Sequence, residues 1–295
     1  MWSGDRDAAT DSEMRGRRLE WLLPGRRPAP AVPVWTVLLL LPGLCVGAFL
    51  ALPLLAIFLK VLPQPDLWQT LHQPVVTNAL RLSLITSLSS LCLTVLFGTP
   101  IAYLLARHRF RGAGVIETLL DLPMVLPPTV AGVALLMTLG RRGLLGPWLD
   151  AAGIQIGFTT VAVVLAQSFV SLPFYIRAAQ AGFRGVDPEL ERVAHTLGVS
   201  SLRTFLGVTV PLAFPALLSG SVIAWARALG EFGATIMFAG NLLGRTQTMP
   251  LAIYLAMESD LPAALALSAL LILVPFTALV LMRAFLSRGV FDAYA

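Results

Sequence analysis

Charged residues are scarce in this sequence of 295 residues, where Asp, Glu, Lys and Arg together make up 13% and hydrophobic residues 57%. A soluble globular domain carries about 25% charged residues, so this composition excludes that class. A mean hydropathy of +0.80 instead predicts a polytopic membrane protein. The formal net charge of +5 is then attributed to basic loops on one side of a membrane rather than to affinity for nucleic acid.

Lysine occurs once, as Lys60 in the run FLKVLP. A phosphate-binding P-loop ends in Gly-Lys followed by Ser or Thr, so this chain cannot be its own P-loop ATPase. The two cysteines, Cys45 and Cys92, lie in apolar runs and are predicted to be reduced thiols. His72 and His108 have no Cys or His partner at ligand spacing, and the sequence carries no paired carboxylates or Ser-His set, so we predict neither a metal site nor catalytic residues.

Long apolar runs account for most of the chain. A membrane helix needs about 20 mainly apolar residues, and about six segments reach this length. We therefore predict an all-α polytopic helical bundle over residues 34–295, preceded by a flexible, Arg-rich cytoplasmic tail at residues 1–33. Prolines in four of the segments predict kinks. The segments are Val34–Leu62, Leu82–Ala106, Leu122–Leu139, Phe158–Gly182, Leu212 to about Gly240, and Leu261–Phe285.

The distribution of basic residues predicts the orientation of the chain. Fifteen arginines, Arg177 and Arg184 among them, fall on the side of the predicted bundle that carries both termini and residues 186–211, against five basic residues on the other side. Basic residues collect in cytoplasmic loops, so both termini and the 186–211 segment are predicted to be cytoplasmic. The opposite side includes Pro250–Met257, an apolar stretch that is too short to span and is predicted to be a surface or re-entrant helix.

The polar segment at residues 186–211 carries signals for a helix, a turn and a second helix. Asp187 can cap a helix, Pro188 suits its first position, and Gly198 can close it in the left-handed conformation. Ser200 or Ser201 can cap the second helix, which continues towards Pro211. The first helix is predicted over Pro188–Leu197, with one apolar stripe that requires a partner. The stripe consists of Leu190, Val193, Ala194 and Leu197.

This segment resembles the signature loop of permease subunits of bacterial ABC importers. In that loop Glu-Ala-Ala is followed after three residues by Gly and, ten residues later, by an aliphatic residue, any residue, Leu and Pro. Arg192 stands where the family usually has Glu, and Glu191 directly before it is placed to substitute in part. The resemblance implies that these residues couple the chain to an ATPase: Glu191, Arg192, Val193, Ala194, Gly198 and Pro211.

The similarity extends from about Asn78 to Ser287 and is strongest to the molybdate permease branch. Sulfate permeases share a Gly-Glu-aromatic-Gly and a Gly-Asn with the matching run at residues 226–254. The Ala-Thr after Gly233 and the Gly-Arg-Thr-Gln-Thr at residues 244–248 look more like molybdate permeases. Tungstate carriers are not separated from them by these motifs. The matching runs are FGTPIAYLLARHRF (97–110), LLDLPMVLPPTVAGVALL (119–136), GRRGLLGP (140–147) and ARALGEFGATIMFAGNLLGRTQTMPLAIY (226–254).

The resemblance implies a permease of the type I ABC importer kind that moves molybdate, with tungstate as an alternative substrate, across a bacterial inner membrane. It implies a homodimer, two cytoplasmic ATPase subunits that bind ATP and Mg, and a periplasmic oxyanion-binding protein. No cofactor, no nucleic acid and no enzymatic activity is implied for this chain itself, which contacts membrane lipid. A sulfate-type ABC permease is the alternative within the same class.

The second half of the fifth predicted span and the loop that follows it contain the residues proposed for a translocation pathway or gate. Glu231 lies four residues after Arg227 on one helical face, so the two can form an ion pair that is structural or positions a gate, or Glu231 can act in the pathway itself. Neutral donors nearby suit an anion that must pass without being held, although helix packing and a loop turn explain them equally well. The remaining candidates are Gly233, Thr235, Gly240, Asn241, Thr246 and Gln247.

Two other classes of protein share some of these features. An ion-coupled secondary transporter can also have six kinked spans, but such folds often show inverted repeats and charged residues at the midplane, and neither is evident here. A DNA-binding helix-turn-helix could be drawn on AHTLGVSSLRTF. It would need a third helix and a basic recognition face, and the second helix carries only Arg203.

Overall fold

The computed structural model describes residues 34–108 and 110–292, with the side-chain environment of residues 40–108 and 110–286. The tail predicted at residues 1–33 lies outside this part of the chain. All regular structure in the described residues is helical. The helices are α1 Val34–Val61, α2 Leu67–Leu71, α3 Pro74–Arg107, α4 Ala113–Val125, α5 Pro128–Leu139, α6 Gly146–Ala151, α7 Thr160–Gly185, α8 Pro188–Thr196, α9 Ser201–Thr204, α10 Val210–Leu229, α11 Gly233–Ala239, α12 Met249–Ser259 and α13 Leu261–Asp292.

Five helices among the described residues are long and apolar enough to cross a membrane, and the bent pair α4 and α5 would make a sixth span. The predicted class, a polytopic all-α membrane bundle, is confirmed.

The chain separates into two compact units after Pro53, and residues 54–295 form the second unit. Within that unit, small residues bring α7 and α10 close together: a Cβ built on Gly220 would come within 2.7 Å of the Ala178 Cβ, and one on Gly182 within 2.5 Å of the Ala216 Cβ. Such close approach is typical of helix contacts in membranes.

The third predicted span is wrong as a single helix. This part of the chain forms two helices, α4 and α5, whose axes differ by 116°. The first of them, α4, begins at Ala113, well before the predicted start at Leu122. Leu126 and Pro127 are extended between the two helices, with ψ of 135° and 132°. The cause is local, because a residue before proline disfavours the helical region and proline has no amide hydrogen to continue the ladder.

The fifth predicted span is wrong at both ends. Its helix begins at Ser201, passes through a π-helical turn at Phe205–Thr209 and ends at Leu229. A break at residues 230–232 then separates it from α11. Pro211 is the second residue of α10, directly after the π-helical turn, where the changed hydrogen-bond register accommodates a residue without an amide hydrogen.

The short apolar stretch predicted as a surface or re-entrant helix forms α12. Met249 and Leu251 in this helix are fully buried, and the Met249 amide donates to the Ser83 hydroxyl of α3 at 2.7 Å. The helix therefore packs into the bundle rather than lying on its surface.

Candidate functional site

The first helix of the 186–211 segment folds as its capping signals predict, whereas Ser200 precedes the second helix without a side-chain cap hydrogen bond. The Asp187 carboxylate accepts from the Glu189 amide at 2.9 Å, and α8 ends at Thr196, one residue earlier than predicted. Gly198 closes the turn with φ of +80°, and the Val199 amide donates back to the Ala194 carbonyl at 3.0 Å. A left-handed glycine of this kind fixes the direction in which the chain leaves a helix.

The four residues of the predicted apolar stripe of α8 differ in their exposure. Ala194 is buried, whereas Leu190, Val193 and Leu197 are exposed, Leu197 by 77% of its surface. Three large apolar side chains on a short, capped helix form an unpartnered face within the described residues. A helix of this kind is suited to lie in an apolar groove of another protein.

The opposite side of α8 is attached to the bundle by Glu191. One carboxylate oxygen of Glu191 accepts from the Arg107 Nη2 at 2.9 Å, the Arg107 Nε at 3.2 Å and the Thr209 hydroxyl at 2.7 Å. The same Arg107 Nη2 donates to the Val186 carbonyl at 2.9 Å. The two charged side chains are only 11% and 13% exposed. This buried pair joins the last turn of α3, α8 and the π-helical turn, and we call it the α8 anchor.

Arg192 lies on the outward side of α8, where it pairs with Glu189. Glu191 faces the bundle, so in this structure it does not substitute for the missing outward Glu at position 192. The two neighbouring positions therefore differ in what they can contact: Glu191 reaches the chain's own helices, and Arg192 is exposed to solvent or to a partner. His195 has its ring nitrogen Nδ1 3.1 Å from the Val199 carbonyl within the same turn.

The break after α10 is built around Glu231. The Arg227 Nη1 lies 2.7 Å from Glu231 Oε2, so the structure contains the ion pair suggested by the sequence spacing. Glu231 Oε1 also accepts from the Ala234 amide at 2.8 Å, which satisfies an amide at the start of α11. The Glu231 side chain is 1% exposed. A Cβ on Gly233 would come within 2.8 Å of the Pro128 Cβ, so α11 begins against the first residue of α5.

Most of the neutral donors predicted for a pathway are buried: Thr235 lies in α11, and Thr246 and Gln247 lie in the turn between α11 and α12, where Asn241 is half-buried. The Thr246 hydroxyl accepts from the Leu242 amide at 2.9 Å and donates to the Gly240 carbonyl at 3.3 Å. Asn241 Nδ2 donates to the Leu251 carbonyl at 3.4 Å. Thr246 and Asn241 therefore hold the turn closed, while the Thr235 hydroxyl has no hydrogen-bond partner among the described residues.

Sequence reasoning missed Gln167, a carboxamide in the apolar span of α7. Its side chain is fully buried, and neither its oxygen nor its nitrogen has a partner among the described residues. A polar side chain in the middle of an otherwise apolar run was the signal that could have identified it.

A network of charged side chains between α4 and α7 was also missed, because Arg177 was counted with the loop cations and the structure places it inside α7. The Asp121 carboxylate accepts from Arg177 Nε at 2.8 Å and also from Arg177 Nη2. Arg177 Nη1 donates to Gln180 Oε1 at 3.0 Å, and Gln180 Nε2 donates to Glu117 Oε1 at 2.8 Å. Arg184 Nη2 reaches the same Glu117 oxygen at 3.3 Å. We call these five side chains the α4–α7 network.

A cavity of about 340 Å³ lies beside α5 and α6, and Arg141 and Arg245 are among its lining residues. Arg141 Nε is 3.8 Å from the Asp150 carboxylate, and both side chains are exposed. The remaining lining is mainly apolar, from Leu136, Leu139, Leu149, Ile154, Ile156, Phe158 and Leu242.

The fold and the 186–211 segment together are those of the membrane subunit of an ABC importer. The family model for the inner membrane component of binding-protein-dependent transport systems matches residues 98–291, and the chain belongs to this family. It is therefore a permease subunit rather than an enzyme.

Individual relatives narrow the similarity to one branch of the family. The chain is 46% identical over 247 residues to the molybdenum transport system permease protein ModB of Mycobacterium tuberculosis, which covers 84% of this chain and 92% of that protein. It is 40% identical over 192 residues to the molybdate/tungstate transport system permease protein WtpB of Pyrococcus abyssi, covering 65% of this chain and 72% of that one. The fold is also similar to that in a crystal structure of a bacterial ABC transporter involved in the import of the acidic polysaccharide alginate, with a TM-score of 0.63 and 19% identity. The match covers 94% of this chain and 99% of that chain and shows a shared fold.

Proposed function

We propose that this chain is the permease of an ATP-driven importer of molybdate, with tungstate as a second substrate. Support for the oxyanion comes from the 46% identity to a molybdenum permease over 84% of the chain. Molybdate, tungstate and sulfate are tetrahedral dianions that accept hydrogen bonds in similar ways. The choice among them would therefore be set by the permease and its delivery protein together.

The proposed assembly contains two copies of this chain, two cytoplasmic ATPase subunits that bind ATP and Mg, and a periplasmic oxyanion-binding protein, in a bacterial inner membrane with both termini of the permease in the cytoplasm. The observation that carries this proposal is the two-sided form of α8. Its outward side offers Val193, Leu197 and Arg192 to a groove on the ATPase, and its inward side is fixed by the α8 anchor. A rigid helix held in this way moves the membrane helices when the ATPase moves it.

In this proposal the other candidate residues have distinct roles. Gly198 sets the angle at which α8 meets the ATPase, Pro211 begins the long span, and Ala194 packs α8 against the bundle. Arg227 and Glu231 shape the gate region by ending one helix and beginning the next. The residues around them form the closed lining of the pathway in this conformation: Gly233, Thr235, Gly240, Asn241, Thr246 and Gln247.

ATP hydrolysis by the reconstituted complex tests the proposal. The chain would be placed in proteoliposomes with its candidate ATPase and with binding protein loaded in turn with molybdate, tungstate or sulfate, and unloaded binding protein would give the baseline. We expect stimulation by molybdate and tungstate and none by sulfate. Stimulation by sulfate alone would retain the mechanism and replace the substrate, and failure to form a complex with any ATPase would favour an ion-coupled secondary transporter.

A further inference from the structure

The α4–α7 network is partly exposed, and Arg177 lies inside Thr160–Gly185, a helix long and apolar enough to cross a membrane. The side chains of Arg177, Asp121 and Glu117 are 35%, 41% and 32% exposed. Arg177 lies eight residues before the end of α7 at Gly185, which at 1.5 Å per residue is about 12 Å along the helix. Charged side chains within membrane spans almost always face a bundle interior or a water-filled cavity. This surface of α4 and α7 is therefore directed at water or at protein and not at lipid.

α4 is built so that it can separate from α7. None of its residues is buried, and the network supplies its polar attachment to α7. The chain on either side of α4 can change direction, because Gly112 has φ of +97° and the extended residues Leu126 and Pro127 follow its end. Leu120 of α4 packs against the core but is only partly buried. An element held mainly by partly exposed ion pairs, without a fully buried side chain, opens at a lower free energy than the core helices.

The guanidinium of Arg177 is occupied by a group that resembles the proposed substrate. A carboxylate and a tetrahedral oxyanion each present two oxygens to the fork of an Arg side chain, and both bind it through paired charge-assisted hydrogen bonds. Asp121 fills this fork with both of its oxygens. We propose that Arg177 binds the oxyanion during its passage, and that Asp121 is an internal counter-anion which occupies the guanidinium until the substrate displaces it. This inference rests on the proposed function.

The neighbouring residues fit a site that must also release its ligand. Arg184, further along α7 towards its end, makes a single hydrogen bond to Glu117 at 3.3 Å, and Arg177 Nη1 lies 3.8 Å from the same Glu117 oxygen. Two arginines thus face two carboxylates, and the four charged side chains have no net charge before the substrate arrives. Conduction requires binding that is favourable enough to admit an ion and weak enough to let it leave. Two arginines without nearby carboxylates would bind a dianion too tightly to release it. When carboxylates compete for the same arginines, the arginines can pair with them again after the dianion has left.

Two substitutions with opposite expected signs distinguish this site from a simple attachment of α4. Equilibrium binding of radiolabelled molybdate would be measured on the purified permease–ATPase complex in lipid nanodiscs without binding protein. For Asp121→Asn we expect affinity to rise roughly two- to fivefold, the range corresponding to loss of a competing exposed ion pair. For Arg177→Gln we expect affinity to fall about tenfold or more, since hydrogen bonds to a charged group are lost.

Matched substitutions elsewhere supply the controls. Asp66→Asn changes an exposed carboxylate before α2, and Arg283→Gln changes an exposed Arg in α13; neither is expected to alter molybdate binding. If the network only attaches α4 to α7, Asp121→Asn and Arg177→Gln both break it and move binding in the same direction or leave it unchanged, which would overturn the inference. The failure of the proposed function would look different, because the unsubstituted complex would then respond to none of the oxyanions in binding or ATP hydrolysis.

Discussion

Glu191 and Glu231 are both buried carboxylates that hold an Arg and a second donor, but their partners come from different distances along the chain. Glu231 pairs with Arg227 four residues earlier and caps the Ala234 amide three residues later. Glu191 pairs with Arg107, 84 residues away, and accepts from Thr209 in the π-helical turn. The first arrangement shapes one local break in the chain, whereas the second joins three separate elements.

This difference indicates how each carboxylate can affect transport. A change at Glu231 acts on the start of α11 and on the contact with Pro128. A change at Glu191 releases α8 from the last turn of α3 and from the helix that continues into α10. We therefore expect defects at the α8 anchor to separate ATP hydrolysis from uptake, and defects at Glu231 to lower stability and uptake together.

The largest effect is expected from Gly198→Val, which displaces the whole of α8 and with it Glu191. Gly198 has φ of +80° and no neighbouring atom within 4 Å of an added Cβ, so the effect would come from the backbone alone. A β-branched residue in this conformation is strained by roughly 1–3 kcal/mol. We expect molybdate-stimulated ATP hydrolysis to fall to the unstimulated rate while the chain still inserts. Gly47→Val, in equally open space inside α1 and without a positive φ, is the control, and normal uptake by the Gly198 variant would contradict the prediction.

The next largest effect is expected from Arg107→Gln, which leaves the Glu191 carboxylate buried without its cation. Removing one partner of a buried ion pair costs about 3–5 kcal/mol. We expect at least a roughly tenfold loss of molybdate transported per ATP hydrolysed, since 1.4 kcal/mol already corresponds to a factor of ten. Arg81→Gln removes an exposed Arg from the same helix and is expected to have no such effect. Equal results for the two variants would show that the anchor is not required for coupling.

A smaller effect is expected from exchanging the charges of Arg227 and Glu231. The exchanged pair can still form, but an Arg at position 231 cannot accept from the Ala234 amide. Leaving a buried donor unpaired costs about 1–3 kcal/mol, so we expect a lower unfolding temperature in detergent and a proportional loss of uptake. Glu231→Gln retains an acceptor and should be milder. Full activity of the exchanged protein would show that pairing is the only role of these residues.

The smallest effect is expected from Arg192→Glu, which places the residue usual for the family on the outward side of α8. The Arg192 and Glu189 side chains are 68% and 60% exposed, and pairs of this kind contribute about 0–1 kcal/mol. With the native ATPase we expect about a twofold fall in stimulated hydrolysis, because that partner has an Arg to accommodate. A loss as large as that of Arg107→Gln would mean that the outward charge matters as much as the inward one.

Local signals in the sequence predicted the features whose causes are local. Asp187, Gly198 and the four-residue spacing of Arg227 and Glu231 were sufficient for the helix start, the helix end and the ion pair, since each depends on neighbours in the chain. The inward direction of Glu191 was not predictable in this way, because its partners lie on α3 and in the π-helical turn. Which of two adjacent acidic or basic residues faces inward is decided by packing between helices.

The errors in the predicted spans have a common cause. Hydropathy averages over a window, so it does not register a break of two or three residues such as Leu126–Pro127 or 230–232. Arg177 falls inside the predicted span Phe158–Gly182 but was counted with the cytoplasmic arginines, because the sequence does not show that Asp121 of another helix neutralises it.

The helix that runs without interruption from Ser201 to Leu229 has 29 residues, and at 1.5 Å per residue it is about 43 Å long. The hydrocarbon layer of a bilayer is only about 30 Å thick, so this helix is too long to fit inside it. The excess is about nine residues, which is the length from Ser201 to Thr209 and includes the π-helical turn. Because Thr209 is bonded to Glu191, any shift of this helix along its own axis would carry the α8 anchor with it.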